Sequence, residues 1–81
     1  MTKEQELFEL VNNTVITVNA AILKAVKDQT DNLFELSIRM HRIIEQYDIY
    51  CYYYKNNPSD PDLTKIAARI PKLVKKVLEK V

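Results

Sequence analysis

Apolar residues recur at intervals of three and four through the first 57 residues of the chain, a stretch that contains neither glycine nor proline. The repeat forms two runs: Phe8, Val11, Val15, Val18, Ile22 and Ala25, and then Leu33, Leu36, Met40, Ile43, Tyr47, Tyr50 and Tyr54. This spacing places each run along one face of a helix and is typical of helices that pack along a coiled-coil-like seam. The sequence therefore predicts an all-α protein.

The repeat changes phase between Asp28 and Asp31, where four polar residues follow one another. One interpretation is a turn, in which Asp28 ends the first helix and Thr30 or Asp31 caps the second. The other is a continuous helix of about 50 residues, a rod roughly 75 Å long with a local stutter. The cap-type residues favour an antiparallel helical hairpin, whereas the lack of glycine favours the rod. We expect the hairpin, with helix 1 over about 3–27 and helix 2 over about 32–55.

A segment with two prolines separates this hairpin from a third helix. Pro58 disfavours helical backbone at the residue before it. Asp60 is a capping residue type, and Pro61 is well suited to the first position of a helix. The sequence predicts a turn over 56–60 and helix 3 over about 61–81.

Helix 3 contains a proline well inside its predicted length. Pro71 cannot donate a hydrogen bond to the carbonyl of Ala67, and its ring clashes with that carbonyl, so we expect a kink near Ile70. The predicted apolar face of this helix contains Ile66, Ile70, Leu73, Val74, Val77 and Val81. The predicted fold is thus a helical hairpin plus a third, Pro-kinked C-terminal helix.

A chain of 81 residues is expected to form a single domain, 1–81, with a thin core, because a domain this small buries only about 60% of its unfolded surface. Ile16 and Leu23 lie seven apart on the flank of helix 1, and Phe34 and His41 do the same on helix 2. A two-helix seam would leave all four exposed, so a third helix or a second chain must cover them. We expect a helical bundle that is completed by dimerisation.

The composition offers little to catalysis or to metal binding. The absence of glycine argues against a loop that cradles phosphate, and no nucleophile lies in an obvious pairing with a base. Cys51 is the only cysteine and His41 the only histidine, so neither an internal disulfide nor a zinc site is expected. We predict that the protein is not an enzyme and has no catalytic residue, cofactor or metal ligand.

The N-terminus is polar and acidic, unlike a signal peptide, and the longest apolar stretch is interrupted by polar residues well short of the ~20 needed to cross a bilayer. These features predict a soluble cytoplasmic protein.

The net charge of +1 conceals an uneven distribution. Residues 1–63 carry six basic and ten acidic side chains, a balance of −4, whereas residues 64–81 carry six basic and one acidic, a balance of +5. Helix 3 is therefore a basic amphipathic helix with three possible roles. It folds back on the acidic hairpin, docks into another chain, or contacts an anionic membrane or phosphates. Membrane binding is the least expected of these.

Five tyrosines lie between positions 47 and 54. Tyr47, Tyr50 and Tyr54 continue the seam, whereas Tyr52 and Tyr53 point elsewhere and should be at least partly exposed. Helix 3 could cover these two, or they could contact a protein partner, as exposed tyrosines often do, or stack on bases.

The first 56 residues resemble the plasmid repressor-of-primer family in layout. The shared features are a start that reads Met1-Thr2-Lys3, a helix, an Asp-containing turn near residue 30, and a second helix with a lone cysteine near its end. The resemblance implies an antiparallel dimer. It implies no RNA-binding residues, because the outer side of helix 1 carries acidic and amide side chains where that family binds RNA. The segment from Asn57 to Leu63 is similar to the helix-hairpin turn of type III secretion needle subunits.

The sequence predicts a small module for protein–protein interaction, such as an adaptor, inhibitor, chaperone-like protein or assembly subunit. It would act by burying apolar helix faces, with basic side chains steering an acidic partner. The partner-binding residues that we predict are Tyr52, Tyr53, Arg69, Lys72, Lys75, Lys76 and Lys80. The alternative is a plasmid- or virus-encoded regulator that binds nucleic acid through the basic C-terminal helix.

Overall fold

The computed structural model describes residues 2–28 and 31–80. Three helices form this part of the chain: α1 (Lys3–Lys27), α2 (Leu33–Asn56) and α3 (Asp62–Leu78). Strands are absent from the described ranges, so the prediction of an all-α fold is confirmed. None of the three helices is long and apolar enough to cross a membrane.

α1 and α2 form an antiparallel hairpin whose open end is held by aromatic side chains. The ring of Phe8 stacks on those of Tyr50 and Tyr54, with centroid distances of 6.2 and 4.7 Å. The Tyr47 hydroxyl donates to Asn12 Oδ1 at 2.6 Å. Residues near the start of α1 thus meet residues near the end of α2. The longest dimension of the molecule is 42 Å, so the interpretation as a 75 Å rod is wrong.

The start of α2 differs from the sequence prediction. Asn32 is the N-cap residue, and its side chain makes no capping hydrogen bond to the helix. Its Nδ2 atom donates instead to the carbonyl of Lys80 at 3.0 Å. Asp31 is therefore not the cap that the sequence suggested, and Thr30 lies outside the described residues. The amide of Asn32 ties the beginning of α2 to the end of α3.

The start of α1 is capped through side chains. The Thr2 hydroxyl accepts from the Gln5 amide, and Gln5 Oε1 accepts from the Thr2 amide, which completes a capping box. α3 begins one residue later than predicted, with Pro61 as its N-cap residue and no side-chain capping bond from that residue. Asp60 lies one residue before the N-cap, and its Oδ1 accepts from the Asp62 amide at 2.9 Å.

α3 folds back on the hairpin and completes the core from one side. Its buried residues Leu63, Ile66, Ala67, Ile70, Val74 and Val77 join Val11, Val18, Ala25, Leu36, Met40, Ile43 and Tyr50 in one cluster. The core therefore lies among three helices and needs no second chain to exclude water from its centre. Pro71 lies inside α3 and is exposed, and the kink expected beside it stays a prediction.

Candidate functional site

α3 covers only one side of the hairpin and leaves an apolar surface on the other. We call this surface the apolar face and define it as Ile16, Leu23, Val26, Phe34 and Ile44, all of which are exposed. Phe34 is 82% exposed and Leu23 is 61% exposed, which is unusual for such large apolar side chains in a small monomer. The expectation that a third helix covers the flank residues is therefore wrong for α3, whose apolar side is used on the opposite side of the hairpin.

The centre of the apolar face is a shallow groove of about 300 Å³ between α1 and α2. Its lining consists of Ile22, Val26, Leu33, Leu36, Ser37, Met40, His41 and Ile44. No Asp, Glu, Lys or Arg is among these side chains. The groove therefore offers shape and apolar area without a charge that would select one sign of partner.

A second groove lies between α2 and α3, and we call it the basic groove. It has a volume of about 530 Å³ and is lined by Arg42, Glu45, Gln46, Arg69, Lys72, Leu73 and Lys76. Four cationic side chains thus converge with a single carboxylate. Because the two walls belong to different helices, the cluster exists only once α3 has packed against α2.

The four cations of the basic groove are not neutralised by the protein itself. In residues 2–28 and 31–80, the ion pairs join Arg39 to Glu35, Lys65 to Asp62 and Lys80 to Glu35. None of these pairs includes a cation of the basic groove. Arg42 and Glu45, although spaced for a pair on α2, form no ion pair in this part of the chain. The groove keeps an excess of positive charge that faces solvent.

The floor of the basic groove is partly apolar and contains a polar atom without a partner. Leu73 is half-buried against the core. Gln46 Oε1 is shielded from solvent and accepts no hydrogen bond from the described residues. A buried acceptor without a donor typically costs about 1–3 kcal/mol. The groove thus presents positive charge and apolar contact.

The structure separates the lysines that the sequence grouped together. Arg69, Lys72 and Lys76 line the basic groove. Lys75 points to the other side of α3, where it lines a separate groove with Leu10 and residues of α3. The predicted basic surface of helix 3 is therefore divided between two sides of the bundle.

Lys80 lies beyond the basic groove and is paired. Its Nζ is 3.9 Å from Glu35 Oε1, and Arg39 approaches the same oxygen at 2.9 Å. The hydrogen bond from Arg39 and then the positive charge of Lys80 hold the pKa of Glu35 below its ordinary value of 4.5. The charges of these three side chains sum to +1, whereas the four cations and one carboxylate that line the basic groove sum to +3.

The two predicted tyrosines lie outside both grooves. Tyr52 is 66% exposed and Tyr53 is also exposed, with their ring centroids 5.9 Å apart. The interpretation that helix 3 covers this pair is therefore wrong. Neither tyrosine lines the basic groove, so the structure does not join them with Arg69, Lys72 and Lys76 in a single site.

Two tyrosines at the aromatic end of the bundle, Tyr47 and Tyr50, have raised pKa values. Burial raises the pKa of Tyr50 above its ordinary value of 10.0, with smaller contributions from Tyr54 and Cys51. Burial also raises the pKa of Tyr47, followed by the effect of Cys51 beside it. The Tyr50 hydroxyl is shielded from solvent and has no hydrogen-bond partner in the described part of the chain. Within those same ranges, no group of His, Cys, Asp or Glu side chains is arranged to hold a metal ion.

Sequence reasoning missed Arg42 and Gln46 as members of a site. Both lie on the flank of α2, and the heptad pattern does not say which flank α3 covers. A signal was present, because Arg42 and Gln46 are four residues apart and therefore on one side of a helix. The missing information was the side of the hairpin on which α3 packs.

No family model matches this chain, and the comparisons with curated proteins and with solved structures gave no match. A functional proposal therefore depends on the surfaces described above.

Proposed function

We propose that this protein is a small helical module for protein–protein interaction, and that the apolar face joins two copies into a homodimer. The observation that carries the proposal is that Ile16, Leu23 and Phe34 stay exposed after α3 has packed on the hairpin. A dimer of this kind would act as an adaptor or an assembly subunit, because each copy keeps its α3 side free.

The available area suits an interface of standard size. The side chains of the apolar face and the groove between them offer exposed apolar area on the order of 500 Å², and a standard interface buries about 800 Å² on each partner. Polar residues at the rim, such as Asn19 and Ser37, would supply the remaining area. Burial of apolar helix faces would thus supply most of the driving force.

The lack of charge explains why the partner would be a second copy. In a two-fold dimer the same patch meets itself, so every charge on the patch approaches a like charge or must be offset by an opposite one. The groove of the apolar face contains no Asp, Glu, Lys or Arg. The basic groove, by contrast, would repel its own copy. The two-fold axis is therefore expected at the apolar face.

Light scattering of the purified protein over a dilution series tests this proposal. We expect a dimer that dissociates on dilution. Leu23→Glu should shift the midpoint of dissociation to at least tenfold higher concentration, because two carboxylates would be buried in the interface. Leu10→Glu is the matched control, since Leu10 is 64% exposed on the same helix but lines the groove on the α3 side.

Two outcomes would contradict the dimer. One is a wild-type protein that stays monomeric at the highest concentration tested. The other is a dimer that Leu10→Glu weakens as much as Leu23→Glu does. Circular dichroism of both variants would establish that each substitution leaves the helices intact.

The rival function is regulation through nucleic-acid binding, and the observation in its favour is the four cations of the basic groove. Glu45 in the same groove and the acidic balance of residues 1–63 oppose an extended phosphate footprint. A salt series with duplex and single-stranded nucleic acid separates the two functions. Nucleic-acid affinity that falls steeply with salt would favour the rival, and the absence of binding at low salt would eliminate it.

A further inference from the structure

We propose that the basic groove between α2 and α3 binds an acidic amphipathic segment of a different protein, with carboxylates on its four cations and an apolar side chain on Leu73. This inference does not depend on the dimer, because the basic groove and the apolar face lie on different sides of α2. The partner is defined by its chemistry: acidic residues that flank an apolar residue on one face of a helix.

The distribution of charge is the first argument. Lys72 and Lys76 are four residues apart on α3, and like charges at this spacing destabilise a helix. Arg42 on α2 adds a third cation to the same groove, and no described carboxylate pairs with any of them. This arrangement opposes folding, and an acidic partner would relieve it.

The other end of the same surface shows that the chain neutralises cations elsewhere. Glu35 lies between Arg39 and Lys80 and pairs with both. Two cations thus share one carboxylate at the end of the surface, whereas the four cations of the groove have none within pairing distance among residues 2–28 and 31–80. This difference favours the groove as the place where an external anion would bind.

The floor of the groove selects among anions. Leu73 is half-buried, so an apolar group of the occupant would shield its remaining exposed surface from water. A protein segment supplies carboxylates and apolar side chains together, whereas a phosphate backbone supplies only negative charge.

The spacing of the cations suits a helical occupant. Arg69 and Lys76 lie seven residues apart on α3, which corresponds to a separation of about 10 Å along the helix. An occupant helix that carries glutamates at positions i and i+7 repeats the same distance. A leucine at i+4 would then lie between the glutamates and above Leu73, as in the helix-in-groove mode of recognition.

Fluorescence anisotropy with the full-length protein tests the inference. The probe is a labelled synthetic helical peptide that carries glutamates at i and i+7 around a leucine at i+4, with alanine and glutamine elsewhere. Three comparison probes separate the possible occupants: the same peptide with glutamine for glutamate, a labelled DNA duplex, and a labelled single-stranded RNA. We expect binding of the acidic peptide and at least tenfold weaker binding of its uncharged version.

The matched protein variants are Lys72→Gln and Lys75→Gln. Both remove one exposed lysine from α3, but only Lys72 lines the basic groove. We expect Lys72→Gln to weaken peptide binding at least fivefold and Lys75→Gln to change it less than twofold. Leu73→Ser should weaken binding without changing charge, and Leu23→Glu should leave peptide binding unchanged even though it disrupts the proposed dimer.

Three results would overturn the inference. The first is the absence of peptide binding at low salt. The second is an equal loss of affinity from Lys72→Gln and Lys75→Gln, which would indicate unspecific attraction to net charge. The third is tighter binding of either nucleic acid than of the acidic peptide, which would assign the groove to a phosphate backbone. Loss of the dimer alone would overturn only the proposed function.

Discussion

The two grooves on either side of α2 differ in the charge and polarity of the side chains that line them. On the side next to α1, the groove is lined by apolar residues with Ser37 and His41 and contains no Asp, Glu, Lys or Arg. On the side next to α3, the groove is lined by four cations, one carboxylate, Gln46 and a single apolar residue, Leu73. α2 therefore forms one wall of an apolar groove and one wall of a basic groove.

This difference indicates that the two surfaces have different partners. An uncharged apolar surface accepts its own copy, whereas a cluster of like charges repels its copy and attracts the opposite charge. If substitution or salt changed the dimer affinity and the peptide affinity alike, the two sides of α2 would not have different partners. If each affinity changed alone, the difference would be supported.

The largest expected effect comes from two adjacent isoleucines of α2. Ile43 is fully buried, and Ile43→Ala should lower the free energy of unfolding by about 2–5 kcal/mol, because it leaves a cavity in the core that supports both surfaces. Ile44 is 42% exposed on the apolar face, and Ile44→Ala should cost less than about 1 kcal/mol in a monomer while it weakens the dimer.

Urea denaturation and light scattering of the two variants measure these effects. Equal losses of monomer stability would show that Ile44 belongs to the core, and the apolar face would then have to be redrawn. Because the two residues are of the same type and adjacent in sequence, helix propensity contributes equally to both results.

The same pair of isoleucines shows what the sequence could predict. The repeat at intervals of three and four placed Ile43 in the seam, and the structure buries it completely. The repeat also placed Phe8 and Tyr50 in the seam, and the structure stacks their rings on each other. Periodicity within one helix carries this information.

The composition of the two surfaces could not be predicted in the same way. The flank of the hairpin that α3 covers depends on the path of the turn from Asn57 to Pro61, and no local pattern encodes that choice. The sequence therefore grouped Lys75 and Lys80 with Lys72, whereas packing places Lys75 in another groove and pairs Lys80 with Glu35. Arg42 was missed because its neighbours belong to a different helix.

The next largest effect is expected from salt, which should weaken peptide binding and leave the dimer intact. Raising the salt concentration from about 50 to 500 mM shortens the screening length from roughly 14 Å to 4 Å, so the affinity for the acidic peptide should fall by at least about tenfold. The dimer should be unaffected or slightly tighter, since apolar burial is not weakened by salt. Anisotropy and light scattering in the same buffers measure the two responses, and a parallel loss of both would refute the distinction between the surfaces.

A smaller effect is expected in the interior that both surfaces share. Tyr50 is completely buried and its hydroxyl lacks a partner among the described residues, so Tyr50→Phe should raise the stability at neutral pH by about 1 kcal/mol. Thermal denaturation of the variant beside the wild type measures the change. A loss of stability would show that the hydroxyl has a partner, such as a bound water.

Tyr50→Phe should also change how the stability of the protein depends on pH. Because burial raises the pKa of Tyr50 above 10.0, the folded state keeps the neutral phenol after the unfolded state has begun to lose its proton. The resulting contribution to stability is complete below the unfolded pKa and is lost as the pH rises through the raised value. Tyr50→Phe should therefore reduce the loss of stability above pH 10, although Tyr47, whose pKa is raised for the same main reason, will retain part of it.

The smallest expected effect concerns the end of the α2–α3 surface where Glu35 pairs with Arg39 and Lys80. Glu35→Gln removes the carboxylate that pairs with Arg39 and Lys80, and so extends the positive potential of the basic groove. The affinity for the acidic peptide should rise by about two- to threefold at low salt, a change typical of a single exposed charge, and the increase should vanish at high salt. Because the pKa of Glu35 is lowered in the folded protein, its small contribution to stability is present above the unfolded pKa and is lost as the pH falls through the lowered value. Wild type and variant should therefore converge in stability at acid pH, whereas a difference that persists there would mean that Glu35 stabilises the bundle through contacts other than its charge.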